Sequence, residues 1–186
     1  MRLFIAIKIP DEIRNALMAF LNEVRSSAPK AKWVRAEDLH VTLKFLGETA
    51  PEKLSAIHSA LSLIHDQNLV TLNFRGLGFF PNERRPRVFW VGMEASDNLK
   101  TLAEMIDREM RKLGFPLENR PFTPHLTLAR FEPPGLAPQL GAEVKNNSAR
   151  EFGSHIAREF HLVESKLKRT GAEYTTVQSF PFVAGT

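Results

Sequence analysis

The chain has no cysteine among its 186 residues, a single tyrosine and only two tryptophans. The missing cysteines exclude disulfide scaffolds, thiol nucleophiles, CxxC redox pairs and cysteine-based zinc sites together, and suit a protein of the reducing cytoplasm. No apolar stretch approaches the roughly 18 residues needed to cross a bilayer. The phosphate loop GxxxxGK followed by Ser or Thr, the dinucleotide fingerprint GxGxxG and the zincin motif HExxH are all absent. P-loop hydrolysis, dinucleotide redox chemistry and zincin proteolysis therefore have no support. The opening Met1 to Pro10 segment has the look of a leader, but Lys8 interrupts it, Pro10 stops it and no small-residue cleavage site follows. It reads as a first strand.

What is present is a composition able to fold. Hydrophobic residues make up 43% of the chain, enough for the core of one domain or of two small fused lobes. Lys and Arg number 25 against 21 Asp and Glu, a net charge of +4. That mild excess makes polyanions such as RNA suitable partners.

Residues 3–9 are apolar on both alternating faces, as in a strand inside a covered sheet. Asp11 stands as the N-cap of a helix whose Ile13, Ala16, Leu17, Phe20, Leu21 and Val24 form one stripe, with Pro29 ending it. Leu39 to Leu46 alternates as a strand. Thr49 and Glu52 then have the spacing of a capping box ahead of a helix carrying Leu54, Ile57, Leu61 and Ile64. Strands are expected near 69–80 and 87–93, and a third helix from about Asp97 to Leu113 with Gly114 after it. Residues 122–131 read as a strand. Residues 132–150, with three prolines, two glycines and Asn-Asn-Ser, read as a loop. Two closing strands are expected over about 159–168 and 173–182.

The chain resembles itself at a shift of 85 residues. Arg2, Leu3 and Phe4 fall on Arg87, Val88 and Phe89; Leu17 and Leu21 fall on Leu102 and Ile106; His40, Thr42 and Leu43 fall on His125, Thr127 and Leu128. Each half thus runs strand, helix, His-containing strand, and the expected organisation is a single bilobal domain built by internal duplication. Within His40-Val41-Thr42-Leu43 and His125-Leu126-Thr127-Leu128, each His and its Thr point to the same side of a strand, about 6.6 Å apart. Two such strands facing one cleft supply what an in-line phosphoryl displacement needs: a general base on the attacking oxygen, a general acid on the leaving oxygen, and donors for the non-bridging oxygens. Histidine suits both proton roles near neutral pH, and no metal is required.

These motifs, together with Leu3-Phe4-Ile5-Ala6-Ile7, Leu39 to Glu48, Pro121 to Arg130 and the stretch from Ser165 to Tyr174, make the sequence resemble the two-histidine phosphoesterases. Within them it is similar to the bacterial RNA 2′,3′-cyclic phosphodiesterases, also described as 2′-5′ RNA ligases. The resemblance covers nearly the whole chain. It implies an α+β fold, bilobal with pseudo-twofold symmetry, in which two antiparallel sheets flank a central cleft and helices pack outside. It implies metal-independent opening of RNA terminal 2′,3′-cyclic phosphates, or of cyclic nucleotides, to a 2′-phosphomonoester without cofactor, obligate protein partner or membrane. His40 would be the acid on the departing O3′ and His125 the base on water, with Thr42 and Thr127 on the phosphate oxygens. The two motifs are too alike for sequence to separate acid from base. The alternatives are 2′-5′ ligation, hydrolysis of another cyclic phosphate or 2′-5′ linkage, and a non-catalytic RNA-binding module.

Arg130 matches a phosphate-binding arginine of the resembling family, yet strict alternation turns it away from His125 unless the strand bulges or ends there. Its first-half counterpart, Phe45, is read as core, with stacking on a base as the alternative. Arg84, Arg85 and Arg87 are either RNA contacts or a solvated turn. His58 and His65, about 10.5 Å apart along a helix, are boundary residues rather than ligands of one metal. His155 is placed in a loop and His161 at a strand start, neither with a role. Trp33 and Trp90 are read as packing anchors, and Tyr174 as a structural hydroxyl or a cleft residue.

Overall fold

Thirteen helices and strands carry the chain through two antiparallel sheets in the computed structural model, which describes residues 1–64, 69–118, 121–132, 138–168 and 171–182. In order these are β1 (Arg2–Lys8), α1 (Asp11–Val24), β2 (Lys32–Trp33), β3 (His40–Glu48), α2 (Leu54–Ser62), β4 (Val70–Phe80), β5 (Val88–Ala95), α3 (Asp97–Lys112), β6 (His125–Arg130), α4 (Pro138–Asn146), β7 (Glu151–Ala157), β8 (Glu159–Lys168) and β9 (Gly171–Pro181). One sheet has the order β3-β1-β8-β9 and the other β2-β6-β5-β4-β7. The α+β fold with two antiparallel sheets agrees with the expected class. The His-bearing strands β3 and β6 hold matching places beside β1 and β5, and they lie against each other where the sheets meet.

The two faces of β1 have different fates. Leu3, Ile5 and Ile7 join the main core under the helices, where Ile13, Leu17, Phe20, Leu21 and Val24 of α1 are buried with them. Phe4 and Ala6 instead form a small separate cluster with Val163, against Tyr174. The second apolar face is therefore covered by residues of its own sheet's open side, not by a helix layer.

Several local expectations are corrected. Asp11 is not the cap of α1: Pro10 occupies that position in an extended conformation, and Asp11 sits in the first turn paired with Arg14. An acidic residue there complements the helix dipole instead of its free N–H groups. The capping box at Thr49 and Glu52 does not form, because the Thr49 amide donates to the Met1 carbonyl at 2.7 Å and its hydroxyl donates to the Gly47 carbonyl at 3.1 Å. Held at the strand end, Thr49 leaves the helix entrance to a 3-10 turn over Pro51–Lys53. The stretch 132–150 is not all loop, since it contains α4, with Pro138 at the first helical position and Leu140 and Val144 buried. Proline is tolerated there because the first turn has no partner for its N–H. Residues 133–137 of that stretch, and His65, lie outside the described residues. His155 belongs to a strand, β7, whose weak alternation gave it little signal.

Candidate active site

A bulge in each His-bearing strand sets the site. Ile5 pairs with Lys44 and Ala6 with Thr42, so Leu43 is the extra residue in β3. Phe89 pairs with Ala129 and Trp90 with Thr127, so Leu128, which stands 85 positions later, is the extra residue in β6. The result is the same burial sequence in both strands: two buried residues in succession, Leu43-Lys44 and Leu128-Ala129, and then an exposed one. An extra residue reverses the phase of everything after it. Phe45 and Arg130 are thereby returned to the face that carries His40 and Thr42, or His125 and Thr127. The condition under which Arg130 joins its histidine is met. Phe45 is 61% exposed, which corrects its reading as core.

Each imidazole is fastened in the same way. His125 Nδ1 lies 2.8 Å from the Thr123 carbonyl oxygen, and the ring of His40 bonds to the backbone of Asp38. A carbonyl only accepts, so Nδ1 of His125 carries the hydrogen and Nε2 is left to exchange a proton. The two tethers again differ by 85 positions.

The surroundings of the two rings differ. His40 packs at 4.6 Å from the ring of Phe4 and lies edge-on to Tyr174 at 5.2 Å. Burial pushes its pKa down to about 4, opposed by the Asp38 charge and the backbone bond. His40 is therefore neutral in the free protein at neutral pH. On the other sheet, Phe80 stands edge-on to His125 at 5.0 Å and tilts against Trp90 at 5.2 Å. The indole lies across Gly78 and Gly92; a Cβ on Gly78 would fall 2.3 Å from the ring, so any side chain there displaces Trp90. Trp90 is an anchor, as read, and it is also the floor beneath Phe80.

The segment before His40 is clamped. Arg35 donates from Nε and Nη2 to the two carboxylate oxygens of Asp38, both at 3.0 Å, and from Nη2 to the Ala172 carbonyl of β9. The 3-10 turn over Ala36–Asp38, which supplies the tether of His40, is thus tied to the strand that carries Tyr174. Burial and the Asp38 charge raise the pKa of Tyr174, while Arg130, Arg2 and Arg35 oppose them. Arg130 belongs to the other sheet, and its charge acts on Tyr174 of β9.

Sequence reasoning passed over Arg35, Asp38 and Phe80. The one available signal was the equal placement of Asp38 and Thr123 two residues before the histidines. Of the remaining candidates, Arg84 and Arg85 donate their amides to Asn82 Oδ1 at 3.0 and 3.1 Å, forming an exposed turn. His58 is an exposed helix residue near Phe180. Trp33 donates to the Ala28 carbonyl at 3.1 Å and packs edge-on to Phe89. His161 is buried, its Nδ1 2.9 Å from Ser179 Oγ. No described helix is long and apolar enough to cross a membrane.

The low pKa of His40 has a consequence for stability. As pH falls below about 6.5, the unfolded chain takes up this proton first, so stability present above that value drains away toward pH 4. The expected slope is about 1.4 kcal/mol per pH unit for each such group. Burial lowers His155 and His161 as well, and both act in the same direction. Urea unfolding at a series of pH values should show a shallower acid loss for His40→Gln than for the parent; equal slopes would show that His40 is not held neutral.

Comparison with known proteins places this geometry. The family model described as LigT like Phosphoesterase matches the chain twice, over residues 7–90 and 91–174. An RNA 2′,3′-cyclic phosphodiesterase of Archaeoglobus fulgidus is 36% identical over 180 residues, covering 97% of this chain and 99% of that one. One of the same name from Thermus thermophilus is 37% identical over 193 residues, covering 97% and 89%. Among solved structures, a Thermus thermophilus protein superposes with a TM-score of 0.84 at 32% identity over the full length of both chains. The E. coli LigT complexed with 3′-AMP gives 0.78 at 30% identity over 97% of each. With its two consecutive matches, its full-length relatives and its paired His-x-Thr strands, the chain belongs to the LigT-like phosphoesterases of the two-histidine superfamily.

Proposed function

We propose that the chain hydrolyses the terminal 2′,3′-cyclic phosphate of RNA to a 2′-phosphomonoester, with His40 and His125 as the two proton-transfer groups and no metal. The observation that carries this reading is the repetition of one device, a His-x-Thr strand with a tethered imidazole and a bulge just beyond, on two strands that lie together. Similar proteins bearing the name RNA 2′,3′-cyclic phosphodiesterase support the substrate.

In the proposed reaction, water attacks phosphorus and passes a proton to His125 Nε2. The bond from phosphorus to O3′ breaks on the opposite side, and O3′ takes a proton from His40. The product is a 2′-phosphate beside a free 3′-hydroxyl. Thr42 and Thr127 donate to the non-bridging oxygens, and Arg130 balances their charge. His40 is neutral without substrate, so to act as the acid it takes up a proton from solvent as the phosphate anion binds: a negative charge alongside raises an imidazole pKa.

The deciding experiment incubates the protein with a defined oligonucleotide bearing a 2′,3′-cyclic phosphate, in excess EDTA, and identifies the product. A 2′-monophosphate at an undiminished rate is expected. A 3′-monophosphate would overturn the direction of opening, loss of rate in EDTA would overturn metal independence, and binding without turnover would leave an RNA-binding module.

A further inference from the structure

On the face of β1 that carries Phe4 and Ala6, two cationic groups, Lys8 and Arg2, have no function in the reaction described above, and Arg2 is the one in register with Tyr174 through β8. No ladder shift falls within β1 itself, so Arg2, Phe4 and Ala6 share a face, and Phe4 and Ala6 are on the side of Tyr174 and Val163. The register sets Arg2 opposite Ser165 on β8, and Ser165 opposite Tyr174 on β9. Arg2, Ser165 and Tyr174 therefore form one row across three strands.

The row offers a guanidinium and two hydroxyls. Arg35 is committed to Asp38 and the Ala172 carbonyl, and Arg130 of the other sheet is the residue assigned above to the reacting phosphate. Arg2 has no ion pair among the described residues; Glu48, its neighbour on β3, lies 3.8 Å from the N-terminal ammonium instead. Tyr174 links the row to the reacting centre, with its ring 5.2 Å from His40 and 5.4 Å from Phe4. On β1, Arg2 stands two residues, about 6.7 Å, from Phe4, whose ring packs against that of His40. Arg2 is exposed, so its guanidinium is open to an anion arriving from solvent, and a phosphate offers it charge-assisted hydrogen bonds.

We propose that Arg2, Ser165 and Tyr174 form a second phosphate subsite, which holds the 5′-phosphate of the nucleotide whose cyclic phosphate is opened. The inference rests on the hydrolytic reading above and adds to it a preference for RNA ends over nucleoside cyclic phosphates. In RNA that 5′-phosphate is the last internucleotide diester; in a mononucleotide it is a monoester.

Three substrates separate these cases: adenosine 2′,3′-cyclic phosphate, its 5′-phosphorylated form, and the dinucleotide ApA with a 2′,3′-cyclic end. For the parent, KM should be lower for both compounds bearing a 5′-phosphate. Arg2→Gln should raise their KM about tenfold relative to that of adenosine 2′,3′-cyclic phosphate, and should lower the log–log salt slope for the dinucleotide by about one. An effect on the monoester alone would place a terminal 5′-phosphate there and overturn the preference for RNA. Equal KM changes on all three substrates, or none, would overturn the subsite. If the parent turned over none of them, the hydrolytic reading would fall by itself. The subsite would then be decided by titration with adenosine 2′-monophosphate with and without a 5′-phosphate, where only the parent should bind the phosphorylated form more tightly.

Discussion

Replacing His40 or His125 with alanine should lower turnover of a 2′,3′-cyclic phosphate by about 10² to 10⁴ in each case, the usual weight of one general acid or base. The two losses should be far from additive in the double variant, because an in-line displacement without either proton transfer has already lost its coupling. Turnover is read from the monophosphate released under saturating substrate, with circular dichroism confirming the fold. The control matters most for His40, which packs between Phe4 and Tyr174, whereas among the described residues His125 has a single ring contact, with Phe80 edge-on. Thr42→Ala and Thr127→Ala should cost less, about 10 to 100-fold, since each removes one hydrogen bond to a charged oxygen. A histidine variant retaining more than a fifth of parental turnover would rule that ring out of the chemistry.

Asp107→Ala should destabilise the protein by about 3–5 kcal/mol, the cost of leaving a buried charge without its partner. The bulge at Leu43 turns Lys44 inward, and its side chain ends 5% exposed. Its ammonium donates to the Asp107 carboxylate on α3 and, at 2.8 Å, to the Pro116 carbonyl. Asp107 also accepts the Glu118 amide at 3.2 Å. Removing the carboxylate leaves the ammonium one carbonyl and no countercharge. Lys44→Met in the same chain should recover much of the loss, because the stranded charge then disappears. Urea unfolding measures both, and a loss under about 1 kcal/mol would show that Lys44 finds water or another partner. The pair also joins β3, which carries His40, to α3, which precedes the second histidine strand, so activity should fall with stability in Asp107→Ala.

Much of this architecture was legible because it is written in periodicity. The stripe from Ile13 to Val24 and that from Leu99 to Met110 are buried as spacing demands. The elements that escaped notice carry little such signal: β2 is two residues long, β7 buries only Phe152 and Ala157, and α4 hides in a segment rich in proline and glycine. Caps failed for a different reason. Thr49 had the right chemistry, but its backbone was already held by Met1, 48 residues away, and no local pattern reports a bond of that range.

The amino-acid order alone settles the duplicated His-x-Thr strands, the side of each strand on which His and Thr stand together, and the family to which such a pairing points, since all three follow from alternation and repetition along the chain. It does not settle where Phe45 and Arg130 face, nor why Lys44 is inside, because both depend on one extra residue in a ladder whose partner strand lies far away in sequence. Nor does it settle the neutral state of His40 or the row of Arg2, Ser165 and Tyr174. Burial and cross-strand register arise only when β1, β3, β8 and β9 meet, and a pKa or a cationic shelf is a property of that meeting rather than of any one strand.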